Sequence, residues 1–163
     1  MNPAEPVHAD AMILSEVFPP QKGGRGSWLW EMYKRQPAGK YLMAVGDSEG
    51  ADARDRDYPQ QIQRLNLAMP FRGVSNIESL RHYARQVRMI GRLARRHSVT
   101  AIHAARPLSE GLVARLVKLT TGSPYLCYVH GEDVNIALTS RELKILTHSV
   151  LKQAQAIIAN SSF

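Results

Sequence analysis

The chain has 163 residues, of which 44% are apolar, a content that suits one domain with a hydrophobic core. Lysine and arginine outnumber aspartate and glutamate by 21 to 14, and the net charge of +7 favours an anionic partner. No apolar stretch approaches the roughly 20 residues of a membrane-spanning helix, and no zinc-finger spacing, RNP motif or basic tail supports a nucleic-acid partner.

The first predicted strand is a short apolar run that contains Ile13, Leu14 and Val17, typical of a strand covered on both faces. Residues 18–22 end this strand, because their two consecutive prolines remove two backbone donors. A helix is expected to follow, with Ser27 as its N-cap.

Three glycines, Gly23, Gly24 and Gly26, precede this predicted helix. Glycine has no Cβ, so a ligand can approach the backbone closely. The free N–H groups at the start of the helix favour an anion in the same place. The pattern predicts a phosphate-binding loop, and a glycine-rich turn that only connects two elements is the alternative.

Two further strands are predicted in the first half of the chain. Residues 40–46 form an apolar second strand, and residues 61–67 alternate as a third strand expected near the sheet edge. Residues 47–60 are polar and rich in turn formers, which predicts a surface loop between these strands.

A strong amphipathic helix is predicted over residues 78–97. Its arginines fall within an arc of roughly 100°: they are Arg81, Arg85, Arg88, Arg92, Arg95 and Arg96. A neighbouring apolar arc that runs from Leu80 to Ala94 is expected to pack on the sheet. No acidic residue occurs between residues 79 and 97, which favours a surface for anionic lipid headgroups. A solvated charged face is the alternative.

The second half of the chain continues the alternation of helices and strands. The remaining predicted elements are a strand at 99–104, a helix at 108–121 with Leu112, Leu116 and Leu119 at helical spacing, a strand at 125–129, a helix at 140–154 and a strand at 156–159. Such alternation predicts an α/β fold, a Rossmann-like, doubly wound and mostly parallel sheet of about six strands flanked by helices.

Ligands of such sheets bind beyond the carboxyl ends of the strands. The candidate substrate-binding residues at that edge are Gly23, Gly24, Gly26, Arg106, Glu110, Glu132 and Asn160, and His130 is the candidate catalytic residue. Arg106 suits a phosphate or carboxylate, with simple pairing to Glu110 as the alternative. For Glu132 the alternative is that it and Asp133 only place negative charge at the N-terminus of the following helix.

His130 is the most informative single residue, because it stands at the carboxyl end of a predicted strand and precedes a glycine and two acids. In that position it can hydrogen-bond a sugar hydroxyl, and a neighbouring carboxylate is expected to orient the ring and raise its pKa. A structural histidine is the alternative. His103, inside the fourth predicted strand, is expected to belong to the core.

Several cofactor and metal motifs are absent from the sequence. Gly24 is followed by Arg25 rather than by Lys and Ser or Thr, which excludes the Walker pattern. A dinucleotide fingerprint is also disfavoured, because Leu29 occupies its third glycine position, although Asp47 lies where a ribose-binding acid is expected. With no HExxH or paired-cysteine motif either, we expect no metal and no cofactor.

The chain has a single cysteine, Cys127, which lies in an apolar run and cannot form an intramolecular disulfide framework. We therefore expect a buried thiol in a protein of a reducing compartment. The N-terminal residues lack the apolar core of a signal peptide. A cytoplasmic protein is therefore expected, with peripheral attachment to the inner face of the membrane if the arginine stripe binds lipid.

Four blocks in order, SEVFPPQKGGRGSWLWEMYKRQP, ARPLSEG, YVHGEDVNIALTSREL and AIIANSSF, resemble the N-terminal half of family 4 retaining glycosyltransferases of the GT-B fold. Such enzymes have two Rossmann-like domains with the active site between them. The resemblance implies that this domain mainly binds a glycan or lipid-linked acceptor. It also implies that Gly23 and Gly24 approach the diphosphate of a nucleotide-sugar donor, and that His130 contacts the transferred sugar.

The second, donor-binding domain of that family, with its Glu-x7-Glu motif, has no counterpart in the sequence. We therefore expect an isolated amino-terminal domain, a truncated gene product, or one half of a split enzyme whose C-terminal domain is a separate chain, and in each case a chain that is inactive alone. The alternative is a non-catalytic Rossmann module that binds a phosphorylated ligand or an anionic membrane surface.

Overall fold

The computed structural model describes residues 8–70 and 73–160, which form one parallel sheet with helices on both faces. The strands are β1 (Ala11–Ser15), β2 (Tyr41–Gly46), β3 (Gln61–Leu65), β4 (Ala101–Ala104), β5 (Tyr125–Val129) and β6 (Ala156–Ala159). The helices are α1 (Gly24–Lys34), α2 (Ala51–Asp55), α3 (Ile77–Arg96), α4 (Leu112–Thr121), α5 (Gly131–Leu138) and α6 (Arg141–Gln153).

The strand order is β3-β2-β1-β4-β5-β6, and every neighbouring pair is parallel. This order confirms the predicted Rossmann-like, doubly wound α/β fold and the edge position of β3. The order reverses between β1 and β4, so the crevice at their carboxyl ends is the expected ligand site. None of the helices within the described ranges is long and apolar enough to cross a membrane.

Alternate residues of the central strands supply two separate cores, one on each face of the sheet. Met12 and Leu14 belong to the core under α3 and α4, whereas Ile13 belongs to the core under α1. All three are completely buried, as expected for a parallel strand covered on both faces. The apolar run in β1 therefore positions the loop that follows it with little freedom.

The start of α1 differs from the predicted one. Ser27 is not the N-cap, because α1 begins at Gly24 and Gly23 is the extended N-cap residue. Gly26 explains the difference: a Cβ there would lie 2.9 Å from the carbonyl oxygen of Val17. The glycine allows the first helical turn to pack against the loop that leaves β1, and Val17 lies in that loop rather than in the strand.

The predicted helix at 78–97 is confirmed as α3 to within one residue at each end. The Asn76 side chain caps it by accepting a hydrogen bond from the Ser79 N–H at 2.7 Å. The apolar arc was only partly right, because Leu80 is 51% exposed while Gln86 is buried and donates to the Asn66 carbonyl. The hydrogen bond satisfies the amide nitrogen and allows a polar residue on the packed face.

Two other segments depart from the predictions. The segment at 47–60 is not only a loop, because it contains α2, whose Asp55 accepts two hydrogen bonds from the Arg64 guanidinium. The Pro107–Gly111 segment is not α-helical, because Ser109 has φ 62° and ψ −89°, and α4 begins only at Leu112. The leucine stripe predicted for this helix was also partly wrong, since Leu119 is 73% exposed.

Candidate functional site

An open cleft of about 320 Å³ lies at the carboxyl edge of the sheet, between the start of α1 and the end of β5. The residues that line it and bear on ligand binding are Lys22, Gly23, Gly24, Arg25, His130 and Glu132. The elements that carry them follow β1 and β5, so the parallel sheet brings together residues that are distant in sequence. Lys22 and Arg25 give the cleft cationic character on its α1 side.

Arg25 is a half-buried cation of this cleft, with 16% of its side chain exposed. Its Nη2 lies 3.7 Å from Glu132 Oε2, and the Glu132 side chain is 69% exposed, so this ion pair is long and solvated. Its Nε and Nη1 atoms are buried and have no hydrogen-bond partner within the described residues. Unpaired guanidinium nitrogens are the donors with which arginine binds carboxylates and phosphates.

The N-terminus of α1 lies beside this guanidinium. No side chain of the described residues caps it, and the first intrahelical bond runs from the Ser27 N–H to the Gly23 carbonyl at 3.0 Å. The N–H groups of Gly24 and Arg25 precede that bond and therefore lack intrahelical acceptors. They add partial positive charge on the side of the cleft that Arg25 occupies.

His130 is held at the end of β5 by contacts on several sides. Its backbone N–H donates to Asp133 Oδ2 at 2.9 Å, which joins the residue to the first turn of α5. The Trp28 ring stands edge-on to the imidazole with centroids 6.0 Å apart. The Asn160 amide lies 3.3 Å from Nδ1, an exposed and long contact that favours Nδ1 as acceptor and a proton on Nε2.

The pKa of His130 is lowered, not raised as expected from the sequence. Burial is the main cause and the Arg25 guanidinium is the second. The carboxylates of Asp133 and Glu132 and the carbonyl of Ala105 act in the opposite direction but do not compensate. The imidazole is therefore neutral at physiological pH.

A family model described as Glycosyltransferase Family 4 matches residues 23–163. The match begins at the N-cap of α1 and includes every residue of the cleft except those of the preceding loop. The chain belongs to glycosyltransferase family 4. The resemblance noted in the sequence is thereby confirmed. No curated protein matched the chain.

Arg106 of this glycosyltransferase family 4 domain lies beside the cleft in a network of two carboxylates. Its guanidinium bonds Glu110 Oε2 at 2.6 Å and also contacts Glu16 Oε2. Glu110 Oε1 accepts from the Glu16 N–H at 3.0 Å, so the network joins the loops that follow β1 and β4. Burial acts to lower the pKa of Arg106, but Glu110 and Glu16 outweigh it and keep the side chain charged.

The structure brings together most of the candidate residues of the family-4 domain. Gly23, Gly24, His130 and Glu132 line the cleft, and Asn160 contacts His130. Gly26 packs on the loop after β1, and the Arg106–Glu110 pair lies at the β1/β4 crevice. In the described ranges, no group of three or more His, Cys, Asp or Glu is arranged to hold a metal ion.

Sequence reasoning missed three side chains that shape the site, namely Arg25, Trp28 and Glu16. The position of Arg25 between two glycines was an available signal, because an arginine beside a glycine-rich turn can reach a ligand that the backbone also contacts. Trp28 and Glu16 carried no such signal. Their roles depend on contacts with His130 and Arg106 that are distant in sequence.

Proposed function

We propose that this domain binds the acceptor and contacts the donor diphosphate in the transfer of a sugar from a nucleotide-sugar, with retention of configuration. Family membership supports sugar transfer in general. The observation that carries the more specific proposal is the Arg25 guanidinium, which is buried at the cleft with two unpartnered nitrogens among the described residues. A diphosphate supplies several acceptor oxygens within a short span, and one guanidinium can donate two parallel hydrogen bonds to such oxygens.

The donor diphosphate occupies the space in front of Gly23 and Gly24 in this proposal. Arg25 and the first N–H groups of α1 bind its oxygens and stabilise the charge that develops as the diphosphate leaves. Exposed Lys22 adds to the attraction at longer range. No metal is needed to explain anion binding by these groups.

His130 contacts the transferred sugar in the same proposal. Its lowered pKa keeps the ring neutral beside Arg25, so it can hydrogen-bond a hydroxyl without adding charge. The exposed edge of the ring, where the Asn160 amide makes only a long contact with Nδ1, is the edge available to a sugar. The edge-on contact with the Trp28 ring helps to hold the imidazole in place.

Acceptor binding is proposed at a second cleft of about 230 Å³ on the opposite side of the loop that follows β1. Glu16, Gln21, Asp47 and Asn66 line it and present carboxylate and amide groups. Such groups hydrogen-bond hydroxyls well and disfavour a phosphate. A hydroxyl-rich glycan headgroup fits this lining, whether the acceptor is a free glycan or linked to a lipid.

Inorganic pyrophosphate tests the diphosphate site. We expect the wild-type protein to bind it by calorimetry and the Arg25→Gln variant to bind it at least tenfold more weakly. Arg35→Gln is the matched control, because Arg35 caps the far end of the same helix, away from the cleft, and its exposed side chain forms an ion pair only with Glu31 among the described residues. Equal pyrophosphate binding by the wild type and Arg25→Gln would show that Arg25 does not bind the diphosphate and would contradict the proposal.

A panel of nucleotide-sugars then tests the transfer itself. Incubation with uridine, guanosine and adenosine diphosphate sugars and simple glycan acceptors is followed by NMR of the anomeric proton of the product. An inverted product contradicts retention. Pyrophosphate binding with no transfer, in the presence or absence of a separately expressed donor-binding domain, favours a non-catalytic module for phosphorylated ligands.

A second function, binding to an anionic membrane surface, is favoured by the exposure of every arginine on α3. These residues are Arg81, Arg85, Arg88, Arg92, Arg95 and Arg96. No acidic residue lies between residues 79 and 97 to balance them. A one-sign face attracts acidic headgroups, and attraction between exposed charges is screened within about 8 Å at physiological ionic strength. Peripheral attachment at the cytoplasmic face belongs to this proposal, in keeping with the free, buried thiol of Cys127.

Vesicle co-sedimentation tests the membrane function. Vesicles with anionic lipid should retain the protein at low salt and release it at high salt, and vesicles of zwitterionic lipid should not bind it. Reversal of Arg85, Arg88 and Arg92 to Glu should abolish binding. Reversal of Arg141, Lys144 and Lys152 on α6 to Glu changes the net charge equally and should weaken binding far less. Equal losses of vesicle binding in the two triple variants would show that net charge, and not the arginine face of α3, causes the binding.

A further inference from the structure

A shallow groove of about 320 Å³ runs between the edge strand β3 and the second half of α3, outside the candidate site. Its lining residues are Gln63, Leu65, Met89, Arg92, Leu93 and Arg96. The groove exists because β3 is the last strand on this side of the sheet and α3 covers it only from one face.

The floor of the groove is apolar. Met89 and Leu93 lie one turn apart on α3, and Leu65 faces them from the end of β3. All three pack against the main core yet stay partly exposed. Partly covered aliphatic side chains in a continuous row offer apolar contact along a line, which suits an extended alkyl chain better than a compact ligand.

The rim of the groove is cationic. Arg92 and Arg96 follow Met89 at positions i+3 and i+7, so they lie along the same side of the helix as Leu93. Arg92 is exposed, and its Nε donates to the Arg88 carbonyl at 3.2 Å. It forms no salt bridge within the described residues. None of the residues that line the groove is acidic.

We propose that this groove binds one molecule of an anionic lipid, with an acyl chain against Leu65, Met89 and Leu93 and the phosphate beside Arg92. Charge complementarity selects this occupant, because an apolar floor alone would accept any alkyl chain while the cationic rim requires a negative head. The proposal deepens the membrane function above and rests on it. It adds a defined site for one lipid molecule to the general attraction between the arginines of α3 and anionic headgroups.

Alkyl phosphates used as monomers, below the concentration at which they form micelles, test the groove without a membrane. Calorimetry with octyl, decyl and dodecyl phosphate should show affinity that rises about fourfold for each methylene that becomes buried. Inorganic phosphate and the neutral dodecyl maltoside should bind at least tenfold more weakly than dodecyl phosphate. Equal affinity for dodecyl maltoside, or for phosphate alone, would overturn the proposal.

Paired variants locate the binding. Leu93→Gln should lower dodecyl phosphate affinity at least tenfold, whereas Leu119→Gln, at an exposed leucine of α4 outside the groove, should not change it. Arg92→Gln should weaken binding while Arg81→Gln, on the same helix but outside the groove, leaves it intact. Equal effects within either pair would show that the groove is not the site. Circular dichroism and urea unfolding confirm that each variant is folded.

Vesicle binding distinguishes the failure of this proposal from failure of the membrane function. If Leu93→Gln loses dodecyl phosphate but still sediments with anionic vesicles, the groove site is supported and is separate from the charged face. If wild-type protein ignores alkyl phosphates while it still binds vesicles, the groove proposal is wrong and the membrane function stands.

Discussion

The Tyr33 hydroxyl and Nδ1 of His103 lie 2.5 Å apart in a hydrogen bond that links α1 to β4 in the interior of the domain. The same hydroxyl lies 2.9 Å from that of Tyr128 on β5, so three polar side chains form one chain beneath the cleft. Burial lowers the pKa of His103 to about 4. The ring is therefore neutral above that pH, and it lies half-buried beside the core rather than fully within it as predicted.

This relationship predicts that the domain loses stability in mild acid. A histidine whose pKa is about 4 when folded and about 6.5 when unfolded binds its proton preferentially in the unfolded state. Its stabilising effect is complete above about pH 6.5 and is lost as the pH falls toward 4. Urea unfolding should show a decrease on the order of 2–3 kcal/mol between pH 7 and pH 4.5 from this group.

The control variant is His103→Gln, which keeps a hydrogen-bond acceptor for Tyr33 but does not titrate. This variant should lose the part of the pH dependence of the unfolding free energy that His103 contributes. The contribution of His130, whose pKa is also lowered, should remain. An identical pH profile for wild type and His103→Gln would contradict the assignment.

The pKa of His130 should respond in opposite directions to its two charged neighbours. Arg25→Gln removes a positive charge and should raise the pKa toward the ordinary value, whereas Asp133→Asn removes a negative charge and should lower it further. The Asp133→Asn side chain keeps an acceptor for the His130 backbone N–H, which preserves the start of α5. NMR titration of the imidazole C2 proton measures both shifts, and an unchanged pKa in both variants would show that burial alone governs the ring.

Two neighbouring glycines of α1 should respond differently to alanine. Gly26→Ala should cost about 1–3 kcal/mol, because its Cβ would meet the Val17 carbonyl and the Phe18 Cα and displace the helix start. Gly24→Ala should be close to neutral or slightly stabilising, since a Cβ there meets no atom of the described residues within 4 Å. Urea unfolding compares them. Similar costs for both would show that the first turn does not pack on the loop as described.

The Arg106 network should behave as a unit. Arg106→Gln leaves the buried Glu110 carboxylate without its cation and should destabilise the domain by about 3–5 kcal/mol at neutral pH. Adding Glu110→Gln removes the unpaired charge while keeping an acceptor for the Glu16 N–H, so the double variant should be more stable than Arg106→Gln alone. Additive losses in this cycle would exclude a direct pair.

The sequence predicted the elements whose signal is local. The apolar runs of β2, β5 and β6 and the long amphipathic α3 appear close to their predicted bounds, because their signal is carried by consecutive residues. Ser27 misled the prediction for α1, because the preference of serine for an N-cap is weaker than the close packing of Gly26 on Val17. That packing is a tertiary contact, and no local pattern contains it.

The same limit applies to the site. His130 and the glycines were candidates because they stand at the ends of strands and before helices, and the element order alone brings Gly23, Gly24 and His130 to one cleft. The trend of the His130 pKa was predicted with the wrong sign, because the sequence shows the adjacent acids but not the Arg25 charge and the burial that outweigh them. The non-helical backbone at Ser109 likewise had no sequence signal, since serine rarely adopts a positive φ.

The adjacency of β1 and β4 has a consequence for synthesis on the ribosome. These strands pair directly, yet Glu16 and Arg106, which join their loops, are 90 residues apart in sequence. At about 5–20 residues per second, one edge of the nascent β1 lacks its neighbour for on the order of 5–20 s. An unpaired and strongly apolar edge is prone to pair with other chains. Nascent chains that contain β3 but not yet β4 therefore expose one apolar edge of β1 to pairing with other chains.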